Sequence, residues 1–240
     1  MEDINNWQLK FEPCYYSNRF LNQLTFLNTL VNFPVDVQEI KKAIYYARKY
    51  HDGQKRKSGE PYYSHPIEVG YILAEYAAKE DEKYFRTDLL VTSVLHDCIE
   101  DTTLTESMIA TIFGKVVANQ VESLTRIKLD GKISAAEIVD LLFLKHDKDV
   151  LHVKLFDRLH NMRTIDAMSP NKTKKILDET LNNFVPLAMY LEIPKIEYEL
   201  SKLCLSLCNT SSLINHIFVE DNYLLLSLGF QNGLNQMQNQ

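Results

Sequence analysis

Cysteine is too scarce in this chain to staple a secreted fold, since four thiols stand among 240 residues at irregular spacing. Long hydrophobic runs are missing as well. No stretch approaches the ~18 apolar residues that a membrane span needs. The first residues, Met1, Glu2, Asp3, Ile4, Asn5 and Asn6, lack a basic segment leading into an apolar one, so a secretory signal is not expected and the cytoplasm follows by default. An excess of positive charge is absent too. A formal net charge of −6 disfavours general binding to polyanionic nucleic acid. Sustained period-2 alternation, the mark of a half-buried sheet, is also wanting, so the expected fold class is all-α. What remains is 45% hydrophobic and 24% charged, enough for one substantial core and crowded for two full domains.

Helical signals run nearly the whole length. Asp36 with Glu39 three residues later reads as a capping box, and Val37, Ile40, Ala43, Ile44 and Ala47 then form an apolar stripe that Gly53 ends. Pro66 suits a first helical turn and opens a helix over about 66–78. A further helix over 88–99 precedes a loop at Asp101, Thr102 and Thr103, and Thr105 caps the next helix. Gly114 separates that helix from one over 115–126, and Asp130-Gly131 marks a turn. Helices are expected at 134–146, 149–168 and 171–191, with Pro186 kinking or ending the last of these, and Pro194 precedes another.

The chemistry gathers around His96-Asp97-Cys98-Ile99-Glu100-Asp101-Thr102, read together with His65 upstream and Asp157 downstream. Two imidazoles and two carboxylates make a mixed nitrogen and oxygen ligand set. At ~100° per residue, His96 and Glu100, like Asp97 and Asp101, stand one helical turn apart. His96 and Asp97 can therefore hold a divalent cation while Glu100 and Asp101 orient or deprotonate a water. A solvated acidic helix face is the plainer reading of the motif alone. The apolar flank of Leu89, Leu90, Val94, Leu95 and Ile99 weighs against it, because burying these charges without a cation is costly.

Asp157, Asn161 and Thr164 fall at i, i+4 and i+7 and share one face, a carboxylate, an amide and a hydroxyl suited to one ligand plus substrate contacts. A third element is Lys55-Arg56-Lys57-Ser58-Gly59-Glu60-Pro61-Tyr62, which leads to His65-Pro66. A basic run is usually a solvated loop. Here it ends on a candidate ligand, and cations beside a metal site suit a phosphorylated substrate, arginine by forking onto phosphate and lysine as a point charge. Ligand chemistry leaves the metal open among manganese, iron and zinc.

These motifs resemble the hydrolase (HD) domain of the RelA/SpoT homologues, a branch of the HD phosphohydrolases that degrades the alarmones ppGpp and pppGpp. Arg56 to Tyr62 with His65-Pro66 is similar to that family's nucleotide loop and first ligand. Leu95-His96-Asp97 with Glu100-Asp101-Thr102 is similar to its central motif, and Asp157-Arg158-Leu159-His160-Asn161-Met162-Arg163-Thr164 to its last. The resemblance covers about residues 37–208. It implies an HD-type helical bundle, with His65, His96, Asp97 and Asp157 holding Mn2+ and Glu100 and Asp101 activating water. Arg56, Lys57, Ser58, Asn161 and Thr164 would contact a guanosine nucleotide. Water would attack the phosphorus on the 3′ oxygen, releasing pyrophosphate and leaving GDP or GTP. Phe156 departs from the family's usual alanine, and no synthetase domain follows, so alarmone synthesis is not expected.

Three segments are expected: an extension over 1–34, the hydrolase domain over 35–208 and a tail over 209–240. The extension and the tail carry no chemical motif. Residues 223–230 are apolar enough to pack on the domain or on a second subunit of a homodimer, with packing in the same chain favoured, and 231–240 are expected to be mobile. Cys98, Cys204 and Cys208 read as small packing residues. His51, His146, His152 and His160 read as packing or surface residues, with His160 the best candidate to support a ligand. Two rival functions stay open. One is a phosphohydrolase of the same fold acting on another nucleotide such as NADPH, and the other is a nucleotide-binding regulatory module with negligible turnover.

Overall fold

A computed structural model describes residues 3–128 and 131–209. Asp130 and the expectations for 223–230 and 231–240, the homodimer contact among them, lie outside the described residues. Of the described residues, those up to His160 form one compact unit and residues 161–209 belong to a second.

The first unit is built from helices. After a short α1 (Trp7–Lys10), α2 (Tyr15–Leu27) buries Phe20, Leu24 and Leu27 completely. The segment expected to be an extension without a chemical motif thus supplies core. The α3 helix (Val37–Tyr50) starts at Asp36, whose carboxylate accepts from the N–H groups of Gln38 and Glu39. Only that half of the expected capping box forms, because Glu39 pairs instead with Lys42 and the Asp36 N–H donates to Thr87 Oγ1. The α4 helix (Ser64–Glu80) follows the basic loop and holds Pro66 in its first turn, where a missing N–H costs nothing.

The α5 helix (Thr87–Leu95) is the hub: it packs against α3 and α4 and against α8 (Lys115–Leu124), while α2 lies on α4. Every residue from Leu89 to Leu95 is buried. The crossing is tight at Gly70 of α4, where an added Cβ would stand 3.0 Å from both the Phe20 ring and the Ser93 hydroxyl. Helix α5 stops at His96, and a single turn, α6 (Cys98–Asp101), carries on after Asp97. The expected continuous helix through the central motif is therefore broken at His96 and Asp97. Both keep right-handed helical angles, and Asp101 N still donates to Asp97 O at 2.9 Å, so the one-turn spacing of the acids survives the break.

Thr105 Oγ1 accepts from Met108 N and caps α7 (Glu106–Phe113). Gly114 then turns the chain into α8 with φ +89°, a value that favours glycine. Beyond α8 lies a feature that periodicity did not signal: β1 (Ile127–Lys128) and β2 (Gly131–Lys132) pair antiparallel. Two-residue strands are too short to show alternation, and the all-α class stands. Next come α9 (Ala135–Leu144), with a Ser134–Glu137 capping box, and α10 (Lys148–Arg163), which carries Asp157. Phe156 is fully buried beside Tyr76 of α4, ring centroids 5.3 Å apart.

In the second unit, α11 (Pro170–Glu179) leads through a wide turn at Thr180–Phe184 into α12 (Val185–Tyr190) and α13 (Pro194–Asn209). Thr180–Phe184 is a π-helical segment, and Pro186 sits in the first turn of α12. The expected single helix over 171–191 is thus interrupted just before Pro186, whose ring nitrogen has no hydrogen to donate to the preceding turn. Cys204 of α13 is buried, as expected of a packing residue.

Candidate metal centre

Two helices and one break between helices bring the candidate ligands together in the first unit. His65 comes from the first turn of α4, His96 and Asp97 from the break after α5, and Asp157 from α10. Each of His65, His96 and Asp157 offers a ligand atom, all within 4.8 Å of one another and all buried. His65 Nε2 lies 3.1 Å from Asp157 Oδ1 and 3.7 Å from Asp97 Oδ2. His96 Nε2 lies 3.2 Å from Asp97 Oδ1 and 3.7 Å from Asp157 Oδ1.

The hydrogen bonds behind the rings fix which nitrogen faces inward. His96 Nδ1 is 2.8 Å from the carbonyl of Ser93, and a carbonyl only accepts, so Nδ1 carries a hydrogen and Nε2 is the nitrogen that faces the cluster. That Nε2 is buried and has no hydrogen-bond partner, a costly state unless something electrophilic meets it. On the other imidazole, His65 Nδ1 lies 2.8 Å from His160 Nδ1. With Nδ1–H donated to His160, His65 Nε2, 3.1 Å from Asp157 Oδ1, is the nitrogen that faces the cluster. His160 thus contacts a candidate ligand, as its place beside the Asp157 face suggested.

The charges make the same demand. Burial opposes protonation of His96, yet the neighbouring carboxylates of Asp97 and Asp157 outweigh it and push the imidazole up to about 10. Burial also raises the acids, but His96 next to Asp97, and Lys154 with both imidazoles around Asp157, hold them well below the usual carboxylate range. The cluster calls for positive charge, and a divalent cation supplies it in place of a proton. Orphaned nitrogen, carboxylate oxygen and confinement fit a divalent metal ion.

The two acids after the ligands stand in different surroundings. Glu100 is clamped from the hairpin region: its carboxylate takes Arg126 Nη2 at 2.6 Å, the Arg126 backbone N–H at 3.1 Å and Lys132 Nζ at 2.8 Å. Burial works against its charge, but the two cations prevail and lower its pKa. Asp101 has no such pairing. Its Oδ2 receives the Tyr62 hydroxyl at 2.9 Å, and burial with the nearby Asp97 charge raises its pKa.

The basic loop is a tight turn. Arg56 N donates to Glu60 O at 2.8 Å, Gly59 N to Arg56 O at 3.0 Å, and Gly59 has φ +93°. Lys57 and Ser58 are exposed, and Arg56 is half-buried. Asn161, on the last turn of α10, and Thr164, which donates its N–H to Asn161 O at 3.3 Å, belong to the second unit. Four residues around the acids escaped the sequence reading. Lys154, whose Nζ lies 2.9 Å from Asp157 Oδ2, could have been found from its i, i+3 spacing. Tyr62, Arg126 and Lys132 reach the acids from distant segments, and no local pattern announces them.

The comparisons with known proteins bear on this centre. A profile described as the HD domain matches residues 43–193, a span that contains all four candidate ligands. The chain belongs to the HD-domain family. Within it, this HD domain is of the RelA/SpoT branch. It is 41% identical over 180 residues to a protein named GTP pyrophosphokinase from Myxococcus xanthus, over 70% of this chain and 22% of that one. It is 39% identical over 186 residues to the bifunctional (p)ppGpp synthase/hydrolase SpoT of Escherichia coli K12, over 74% of this chain and 26% of that one. The HD domain thus spans about a quarter of the length of these curated relatives. A solved structure reported as a metazoan orthologue of SpoT that hydrolyses ppGpp shares the fold, with a TM-score of 0.55 at 22% identity over 73% of this chain and 96% of that one.

Proposed function

We propose that this HD domain hydrolyses the 3′-pyrophosphate of guanosine 3′,5′-bis(diphosphate), ppGpp or pppGpp, to GDP or GTP and pyrophosphate, with Mn2+ as its metal. The observation that carries the reading is the buried, unpartnered His96 Nε2 facing Asp97 and Asp157. Its place in the RelA/SpoT branch supports the choice of substrate, since one relative from Escherichia coli O157:H7 is named guanosine-3′,5′-bis(diphosphate) 3′-pyrophosphohydrolase.

In this reading His65, His96, Asp97 and Asp157 hold the ion. The bound ion makes a water more acidic and withdraws charge from the phosphoryl oxygens. Asp101 accepts the proton that the water loses as its oxygen forms the new bond to phosphorus, a task for which a raised carboxylate is the better base. Glu100, held ionised by Arg126 and Lys132, fixes the water's direction. The bond between phosphorus and the 3′ oxygen breaks, that oxygen gains a proton, and pyrophosphate departs. The family resemblance assigns nucleotide contacts to Arg56, Lys57, Ser58, Asn161 and Thr164.

The test is a comparison of substrates. Purified chain with Mn2+ is given ppGpp and NADPH separately. Faster formation of GDP and pyrophosphate is the expected result. Faster release of phosphate from NADPH would transfer the site to that nucleotide, and failure on both by folded, metal-loaded protein would make it a binding module.

A further inference from the structure

We propose that Tyr62 is a positioning residue of this centre, one phenol that sets both a metal ligand and the acid that receives the water's proton. The inference rests on the hydrolytic reading above and adds a residue to it.

The Tyr62 hydroxyl oxygen lies 2.7 Å from Asp97 Oδ2 and 2.9 Å from Asp101 Oδ2. Two carboxylates converge on a group that has a single hydrogen to give. Left alone, like charges this close repel, and the partly exposed Asp101 would turn towards water. The shared donor holds them on either side of one oxygen. It also engages Asp97 through Oδ2, the atom 3.7 Å from His65 Nε2, and so sets the carboxylate's turn, with Oδ1 3.2 Å from His96 Nε2.

The ring itself is held. It stacks on the buried His51, centroids 4.7 Å apart and planes 29° from parallel. His51 Nδ1 is 2.8 Å from Gln54 Oε1, and the Gln54 amide donates to the backbone carbonyl of Asp101 at 2.9 Å. The Tyr62 N–H donates to Gln54 O at 2.9 Å. Tyr62, His51, Gln54 and Asp101 therefore close a ring of contacts. On the far side of His51, its Nε2 lies 3.6 Å from Cys98 Sγ, which ties the ring to the central motif. A hydroxyl fixed this way is preorganised, and its two acceptors inherit that order.

Tyr62→Phe removes the hydroxyl and keeps the stacked ring. Calorimetry with Mn2+ alone, without nucleotide, is expected to show affinity roughly 10-fold weaker, the usual loss when a group supporting a ligand is removed. At saturating Mn2+ and with ppGpp, kcat is expected to fall roughly 10- to 100-fold with KM little changed. In an Asp101→Asn background the same substitution is expected to change kcat less than about 3-fold, because the residue acts through Asp101. Unchanged Mn2+ affinity, or an equal fall of kcat in both backgrounds, would overturn the proposal. A wild-type chain inactive on ppGpp would overturn the substrate reading, and the calorimetric arm would still decide on Tyr62. Should Tyr62→Phe melt far below wild type, Gln54→Ala, which unties the same ring from the outside, is expected to weaken Mn2+ binding and kcat in the same direction. No effect of Gln54→Ala would then count against the role.

Discussion

His65 and His160 meet nitrogen to nitrogen, Nδ1 to Nδ1 at 2.8 Å, across 95 positions of sequence. One ring must donate and the other accept, and the donor is His65 if its Nε2 is to face a cation. Replacing His160 with Phe keeps the bulk of the ring and removes the acceptor. Mn2+ affinity measured by calorimetry is expected to fall roughly 10- to 100-fold, with little change in thermal stability. Unaltered affinity would mean that His65 needs no such support.

Glu100 is gripped by Arg126 and Lys132, so its charge is permanent through the neutral range. Glu100→Gln keeps the shape and discards the charge. Turnover of ppGpp is expected to drop by a factor on the order of 10² while Mn2+ and nucleotide binding stay near wild type. Loss of binding and rate in equal measure would make Glu100 a structural residue.

Gly70 sits where α2, α4 and α5 cross, and a methyl group there would press on the fully buried Phe20 ring and Ser93 hydroxyl at 3.0 Å. Alanine gains about 1 kcal/mol in helix propensity, but overpacking a rigid site costs about 1–3 kcal/mol. The clash prevails. Gly70→Ala is expected to lower the melting temperature by a few degrees, and a rise in melting temperature would show that the crossing has slack.

His152 is buried with Nδ1 2.6 Å from the Lys148 carbonyl and Nε2 without a partner, its ring 3.6 Å from that of Tyr84. Burial pushes its pKa down to about 4. The folded chain therefore holds it neutral, while the unfolded chain protonates it near its ordinary value. The resulting stability is complete above about pH 6.5 and lost as pH falls towards 4, up to roughly 3 kcal/mol. Urea unfolding between pH 7.5 and 4.5 is expected to show a smaller loss for His152→Phe than for wild type. Identical slopes would contradict the assignment.

The legible parts of the centre were those that a helix writes locally. Asp97 and Asp101 are one turn apart in sequence and remain so across the break at His96, because the Asp101 N–H still reaches the Asp97 carbonyl. Asp36, Thr105 and Gly114 announced helix ends through side-chain and backbone chemistry that works without tertiary help. The clamp on Glu100 was hidden. It depends on a hairpin of two-residue strands returning Lys132 beside Arg126, a geometry with no periodicity to detect. Tyr62 lies at the end of the basic loop, yet its target Asp97 is 35 residues away. Helix α2 has no chemical signature because its apolar residues serve packing alone, Phe20 fitting against Gly70 of α4.

The central claim is that His65, His96, Asp97 and Asp157 hold a cation that drives hydrolysis of a guanosine 3′-pyrophosphate. Its most direct test is pyrophosphate release from ppGpp by the purified chain, with Mn2+ and with chelator, alongside Asp97→Ala. Release that requires Mn2+, yields GDP and disappears in Asp97→Ala is the predicted result. Turnover that persists with chelator or in Asp97→Ala would contradict the account.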